Sequence, residues 1–390
     1  MTKPTYVITD YGVIADSDAL QTAAVQRVLD MCREGGGTVV VPAGSFVVSS
    51  LRMWSDTTLY LCAGAKLLGS EECGDYEVFE VPEGVQLRTD MELIVDYYNQ
   101  EPWAEYRRAM ISAYGEKNIS IIGEEGSLID GRDCYDPNGE EGFRGPHGLF
   151  ITNCENVTMR GYTIANNGNF MHQLDNCQSV TMEDVTCLAG HDGIHLHHCV
   201  HTRLTRCRFI TGDDCIAGIN VKDLVVRDCE MNTSCQVFRI GGNDILVENC
   251  RMYGPGYYPH RMTVVRGKND VLPREAGRHN LISVICHFAS KPFPAEQPYG
   301  NFVFRNCTID YADCLLHYYA DFGSLESGAY LGDLTLENVK ITNLAHPADI
   351  RPSEKVPLTV TLKNVSVDFR RGAIGGGLFP DVPALRVVTE

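Results

Sequence analysis

The chain of 390 residues contains no run of eighteen consecutive apolar residues, which excludes a membrane-spanning helix. Its first residues, MTKPTYVITDYGVIADSD, lack the apolar stretch of a secretory signal, so the sequence predicts a cytoplasmic protein. Basic residues are scarce: 33 Lys and Arg face 51 Asp and Glu, for a net charge of −18. That balance argues against nucleic acid or an anionic membrane as a partner. No CxxC pair occurs among the 16 cysteines, so the usual spacing of a structural zinc site is missing; no metal or cofactor is expected. In a chain of this size without an export signal, the cysteines read as reduced thiols.

What is present is an ample core, with 44% hydrophobic and 22% charged residues, and a repeat. The segments NCENVTMRGYTIAN, NCQSVTMEDVTCLA, HCVHTRLTRCRFIT, NVKDLVVRDCEMNT and GNDILVENCRMYG align when Val157, Val180, Thr202, Leu224 and Ile245 are equated, at spacings of 23, 22, 22 and 21. YGNFVFRNCTIDYA, LGDLTLENVKITNL and PLTVTLKNVSVDF continue the theme. A period near 22 built of short alternating β-rich runs is too short for paired helices and lacks the leucine-rich pattern. It predicts an all-β fold, a right-handed parallel β-helix forming one solenoid domain over 1–390, in which successive coils lie about 4.8 Å apart. Cys207, Cys229 and Cys250, and again Cys286 and Cys307, follow this period and are expected to form an inward ladder of small side chains.

Three segments depart from the repeat. From Asp18 to Arg33, Leu20, Ala24, Val25, Val28, Leu29 and Cys32 make a helical stripe, started by Asp16, Ser17 or Asp18 and ended by Gly35-Gly36-Gly37. A helix over 18–37 capping the N-terminal end is therefore expected. Residues 83–110, with Tyr97, Tyr98 and Trp103, and 252–280, with YGPGYYPHRMTVVRGKNDVLPREAGRH, read as insertions that build the rim of a cleft.

Chemistry concentrates in AGHDGIHLHHC and ITGDDCIAGIN. Asp192 and Asp214 are 22 residues apart, so they share a column on adjacent coils, with Asp213 beside them. Ile194, Ile216 and Phe238 form a core column; alternation then places His195, Ala217 and Arg239 on the outer face. Clustered carboxylates repel one another, so one should hold its proton above the ordinary aspartate range. A protonated acid beside ionised ones is what glycoside hydrolysis requires.

At these residues the sequence resembles glycoside hydrolase family 28, the polygalacturonase family. DYGVIADSDALQTAAVQRVLDMCREGGGTVVVPAGSFVVSSLRM is similar to that family's N-terminal segment and SLIDGRD to its G-x-I-D-G turn. HDGIHLHHC resembles its N-T-D-G-I/F-D stretch, TGDDCIAG its G/Q-D-D-C-I/V-A stretch, and VVRGK its R-I-K. The resemblance implies an inverting, metal-independent hydrolase of pectin-type sugars. It implies Asp213 as general acid, Asp192 and Asp214 as the pair that orients and deprotonates water, and Arg266 and Lys268 as ligands of a sugar carboxylate. The sequence departs from the family where Cys235 or Gln236 stands in place of a histidine, with His172, His191 and His195 as possible substitutes. Arg239 is an added cation, and with Gln236, His195 and His172 it completes the expected substrate-binding set. The expected partner is thus a uronic-acid-containing oligosaccharide other than plain galacturonan, cleaved in exo mode. A β-helix lyase, and a catalytically silent carbohydrate-binding β-helix, are the alternatives.

Overall fold

The computed structural model describes residues 3–85, 87, 106–136, 138–139, 144–260, 279–287, 299–320, 330–370 and 377–390. They fall into two compact units, one of residues up to Ile194 and one from His195 onward.

In the first unit, the strands Gly37–Val41, Thr57–Leu61, Lys117–Gly123, Glu155–Arg160 and Gln178–Glu183 pair in parallel, each with the next. Register sets Val39, Leu59, Ile121, Met159 and Met182 in one column, all buried. Alternation sends residues such as Thr58, Ser120 and Thr158 to the opposite face. Val157 stands opposite Val180, as the repeat predicts.

The second unit repeats this plan. Thr202, Leu224, Ile245, Phe302, Leu334 and Val360 form one column, and Ile216, Phe238, Ile285 and Leu316 another. The period holds from Thr202 to Ile245 and then lengthens to 57 residues at Phe302, because that coil carries residues 261–278 and 288–298, outside those described.

Turns between strands explain the asparagine and aspartate punctuation. Asn153, Asn176, Asp228, Asn249 and Asn306 each precede a cysteine and each adopts the left-handed backbone, with φ between 50° and 56°. That region costs an ordinary L-residue about 1–2 kcal/mol, and Asn and Asp tolerate it best. Stacked turns then bond to one another: Asn249 Nδ2 donates to Asp228 Oδ1 at 3.1 Å, and Asn338 Nδ2 to Asn306 Oδ1 at 3.0 Å.

The thiols after these turns form the expected ladder with one correction. Cys207, Cys229 and Cys250 stack, and hydrogen bonding of the Cys229 thiol with its Cys207 and Cys250 neighbours, together with burial, pushes the Cys229 thiol far up. Cys307 continues this ladder on Cys250, not on Cys286. Cys286 lies in Ser283–His287, in register with Arg239 and His317, because the long coil shifts its 21-residue spacing to Cys307 onto a different face.

The N-terminal helix also differs from expectation. It spans Thr22–Asp30 rather than 18–37, and Ser17–Leu20 is instead a strand against Gly44–Val48. The stripe begins only at Val25: Val25, Val28 and Leu29 are buried, whereas Leu20 is 46% exposed. Asp16 caps nothing; its Oδ1 accepts the Ser45 N–H at 3.0 Å and holds the strand in place. Gln21 turns its side chain back onto Ile14, with bonds of 2.7 and 2.8 Å.

Candidate active site

Asp213 and Asp214 lie in the turn between Arg208–Thr211 and Ile216–Arg227. Two hydroxyls fix this turn: Thr211 Oγ1 donates to the Asp213 carbonyl at 2.7 Å, and the Thr233 hydroxyl donates to the same oxygen from the following coil. The carboxylates are tied by backbone donors. Asp214 N–H reaches Asp213 Oδ1 at 3.1 Å, and Gln236 N–H reaches Asp214 Oδ1 at 3.1 Å. Both side chains are buried. Burial first, and then the charge of Asp213, push the Asp214 carboxyl up to about 7; Arg239, the Gln236 N–H and His260 pull the other way without cancelling the rise. A buried pair of this kind shares one proton up to near-neutral pH, and its titration belongs to the pair.

His260 supplies an imidazole that sequence reasoning did not find. Its Nε2 stands 3.3 Å from Asp213 Oδ1, and the residue is 5% exposed. The approach to it is held by Asn232, whose Nδ2 donates to the carbonyls of Tyr253 and Pro255, each at 2.9 Å, and whose Oδ1 accepts the Tyr257 N–H at 2.9 Å. The Ser234 hydroxyl donates to the Tyr258 carbonyl. A 22-residue register cannot reveal such a residue, since it arrives from an excursion rather than a coil position. The available signal was the missing histidine at Cys235 and Gln236: His260 is the next histidine along the chain.

The other predicted residues divide. Arg239 is half-buried, in register with Ala217 and Cys286, and close enough to Asp214 to lower its pKa. Gln236 meets Asp214 through its backbone, and its side-chain oxygen accepts the Cys235 thiol at 2.9 Å. His195 belongs to the second unit but is 4% exposed, with its Nε2 3.0 Å from that of His197; the expected solvent-facing ring is an imidazole pair. Asp192 lies in the first unit, buried, with its carbonyl accepting the Met171 N–H at 2.9 Å. His172 corrects the sequence reading. It is fully buried, with Nδ1 2.8 Å from the Gly193 carbonyl and Nε2 2.9 Å from the Tyr162 hydroxyl, and burial pushes its pKa down to about 4. A neutral core imidazole engaged at both nitrogens has no atom left for a sugar. Arg266 and Lys268 lie outside the described residues, as do 86 and 88–105 of the first expected insertion and 261–278 of the second.

Asp213, Cys235 and His260 bring a carboxylate oxygen, a sulfur and an imidazole nitrogen within 4.8 Å of one another, so these three could hold a cation. Chemically, the arrangement offers a shared carboxyl proton, a neighbouring imidazole to exchange it, and a guanidinium for an anionic group.

Residues 83–234 match the model for Glycosyl hydrolases family 28. An exo-poly-alpha-D-galacturonosidase of Dickeya chrysanthemi is 38% identical over 128 residues, covering 32% of this chain and 19% of that protein. A probable polygalacturonase of Vitis vinifera is 24% identical over 255 residues, covering 56% of this chain and 48% of its own length. The matches thus span about a fifth and about half of these two relatives. Among solved structures, a hyperthermoactive exopolygalacturonase from Thermotoga maritima superposes with a TM-score of 0.71 at 14% identity, over 95% of this chain and 88% of that one. At that identity the likeness speaks for the fold.

Proposed function

We propose that the chain is a member of the polygalacturonase-like glycosyl hydrolases of family 28 and an inverting glycosidase releasing sugars in exo mode from acidic, pectin-derived oligosaccharides. One observation carries the reading: a buried aspartate pair holding a proton near pH 7 beside an imidazole and a guanidinium. In this reading Asp213 gives its proton to the glycosidic oxygen as the bond to the anomeric carbon breaks. Water adds to that carbon from the opposite face, losing its proton to Asp214 and Asp192. Asp192 is assigned by its place one 22-residue period before Asp214. His260, 3.3 Å from Asp213, takes the part of the family's absent histidine and returns the proton after each turnover. Arg239, with Arg266 and Lys268, binds the uronate carboxylate; Gln236 completes the sugar contacts.

Exo action follows the names of the relatives, an exo-poly-alpha-D-galacturonosidase and an exopolygalacturonase. The right-handed sense of the β-helix follows from the strong preference of parallel crossovers for that hand, and the helix Thr22–Asp30 is assigned the covering of its N-terminal end. The test is a panel of pectic oligosaccharides with product analysis. New reducing ends without ultraviolet absorption support the proposal. An unsaturated, absorbing product would identify a lyase, and no turnover on any acidic sugar would leave a binding protein.

A further inference from the structure

Cys235 is one of the two residues, with Gln236, where the family resemblance calls for a histidine, and its place beside Asp213 and His260 offers chemistry that a glycosidase does not use. The three donors differ in kind: carboxylate oxygen, sulfur and imidazole nitrogen, all within 4.8 Å of one another. Each side chain is buried, with residue exposures of 7%, 6% and 5% for Asp213, Cys235 and His260. His260 Nε2 and Asp213 Oδ1 are 3.3 Å apart, matching the edge of a tetrahedron whose metal–oxygen and metal–nitrogen bonds are about 2.0–2.1 Å.

Contacts to the backbone fix where the three donors stand, and Asp213 Oδ1 itself accepts the Asp214 N–H at 3.1 Å. The Asp213 carbonyl takes the Thr211 and Thr233 hydroxyls, the Cys235 N–H bonds to Thr233 Oγ1 at 3.1 Å, and the Cys235 carbonyl accepts the Ile282 N–H at 2.8 Å. Asn232 holds the segment before His260. With the backbone fixed, closing a metal site asks the three side chains to rotate. The Cys235 thiol now donates to Gln236 Oε1 at 2.9 Å.

We propose that Asp213, Cys235 and His260 form a three-ligand site for a thiophilic divalent cation such as zinc or cadmium, with a fourth position open, and that occupancy switches the hydrolase off. On binding, the Cys235 thiol gives its proton to solvent and its sulfur lone pair to the metal. The shared carboxyl proton stays on Asp214, so the Asp213 carboxylate and the neutral His260 nitrogen each donate a lone pair likewise, and no electron changes hands. Sulfur and nitrogen ligands favour zinc-like ions over magnesium or calcium. Occupancy removes both the general acid and its imidazole partner, so inhibition rests on the functional reading above, whereas binding does not.

The two parts separate experimentally. Cadmium titration of the reduced full chain, followed by the thiolate-to-cadmium band in the ultraviolet, is expected to saturate at one equivalent per chain. Cys235→Ser should abolish that band, and His260→Gln should weaken the affinity at least about tenfold, the scale of one lost ligand contact. Circular dichroism and melting show that the variants fold, with Cys235→Ala as the substitute should the serine fail to. Absence of a band in the wild type, or a band kept in folded Cys235→Ser or Cys235→Ala, overturns the site; Cys73 and Cys134, whose sulfurs lie 3.1 Å apart, are where such a residual band would arise. A saturating band with no detectable hydrolysis on any sugar supports the site and sinks the functional reading instead. If wild-type hydrolysis runs undiminished at saturating cadmium, the switch is wrong.

Discussion

At the scale of single residues, Asp213, Asp214 and the charges around them decide the chemistry. Asp213→Asn should lower kcat at least about a hundredfold with folding intact, the scale of lost general-acid catalysis; near-normal turnover would return these aspartates to the role of turn residues. The raised pKa of Asp214 also predicts a pH dependence. A carboxyl whose folded pKa of about 7 exceeds its unfolded value stabilises the fold while protonated, and that stability is lost as pH rises through about 7. Asp214→Asn should therefore raise the melting temperature more at pH 8 than at pH 4; an equal change at both would contradict the shift. The same proton is needed for catalysis, so kcat/KM should fall above about pH 7. Arg239 and His260 both hold the pair's pKa down, so Arg239→Gln and His260→Gln should move that alkaline limb upward.

Which of these residues the sequence disclosed follows from how each is placed. Asp213 and Asp214 sit on the coil period, so spacing and motif found them, and their repulsion foretold a raised pKa. Arg239 was placed by strand alternation and does lie near Asp214. His172 also fits the motif region, but the sequence could not show that Tyr162 and Gly193 occupy both its nitrogens. His260 and its contact with Asp213 depend on a chain reversal anchored by Asn232, which no periodicity encodes.

At the scale of elements, the turns carry the fold and one excursion carries the imidazole. Asn249 combines a left-handed φ of 54° with ladder bonds to Asp228 and from Asn306. Asn249→Ala should cost about 2 kcal/mol, from backbone strain of about 1–2 kcal/mol and weakened hydrogen bonding. Asn249→Gly keeps the backbone and should lose less, as denaturant titration of the two variants would show. Asn232→Ala should release the segment leading to His260 and lower kcat about ten- to a hundredfold, the scale of a misplaced catalytic group. Its alkaline limb should move as in His260→Gln, a shift that mere loss of stability would not produce. The strand columns were legible because β-helix registers repeat in sequence, as with Val157 and Val180 or Thr202 and Leu224. The helix was overextended because its apolar stripe runs on from Leu20, a residue that belongs to a strand and faces solvent. Cys286 was misassigned because a 57-residue coil breaks the period on which the ladder was drawn.

At the scale of the molecule, a net charge of −18 makes cations that meet an anionic sugar costly to lose, and the family resemblance assigns that part to Arg266. Arg266→Ala should cut kcat/KM about ten- to a hundredfold on a uronate oligosaccharide and little on a neutral analogue, since a charge-assisted contact is worth roughly 1.5–3 kcal/mol. Equal losses on both would remove the carboxylate from the account. We propose that the thiols are reduced; titration of the denatured, unreduced chain should find nearly all 16 cysteines reactive. The measurement that bears most directly on the central claim is time-resolved proton NMR of the α-linked uronic-acid oligosaccharide selected from the pectic panel, during cleavage by the wild type and by Asp213→Asn. The account predicts that new reducing ends appear first as the β anomer, and that the variant releases them at least about a hundredfold more slowly. First appearance of the α anomer, an unsaturated product, or an undiminished rate in Asp213→Asn would contradict it.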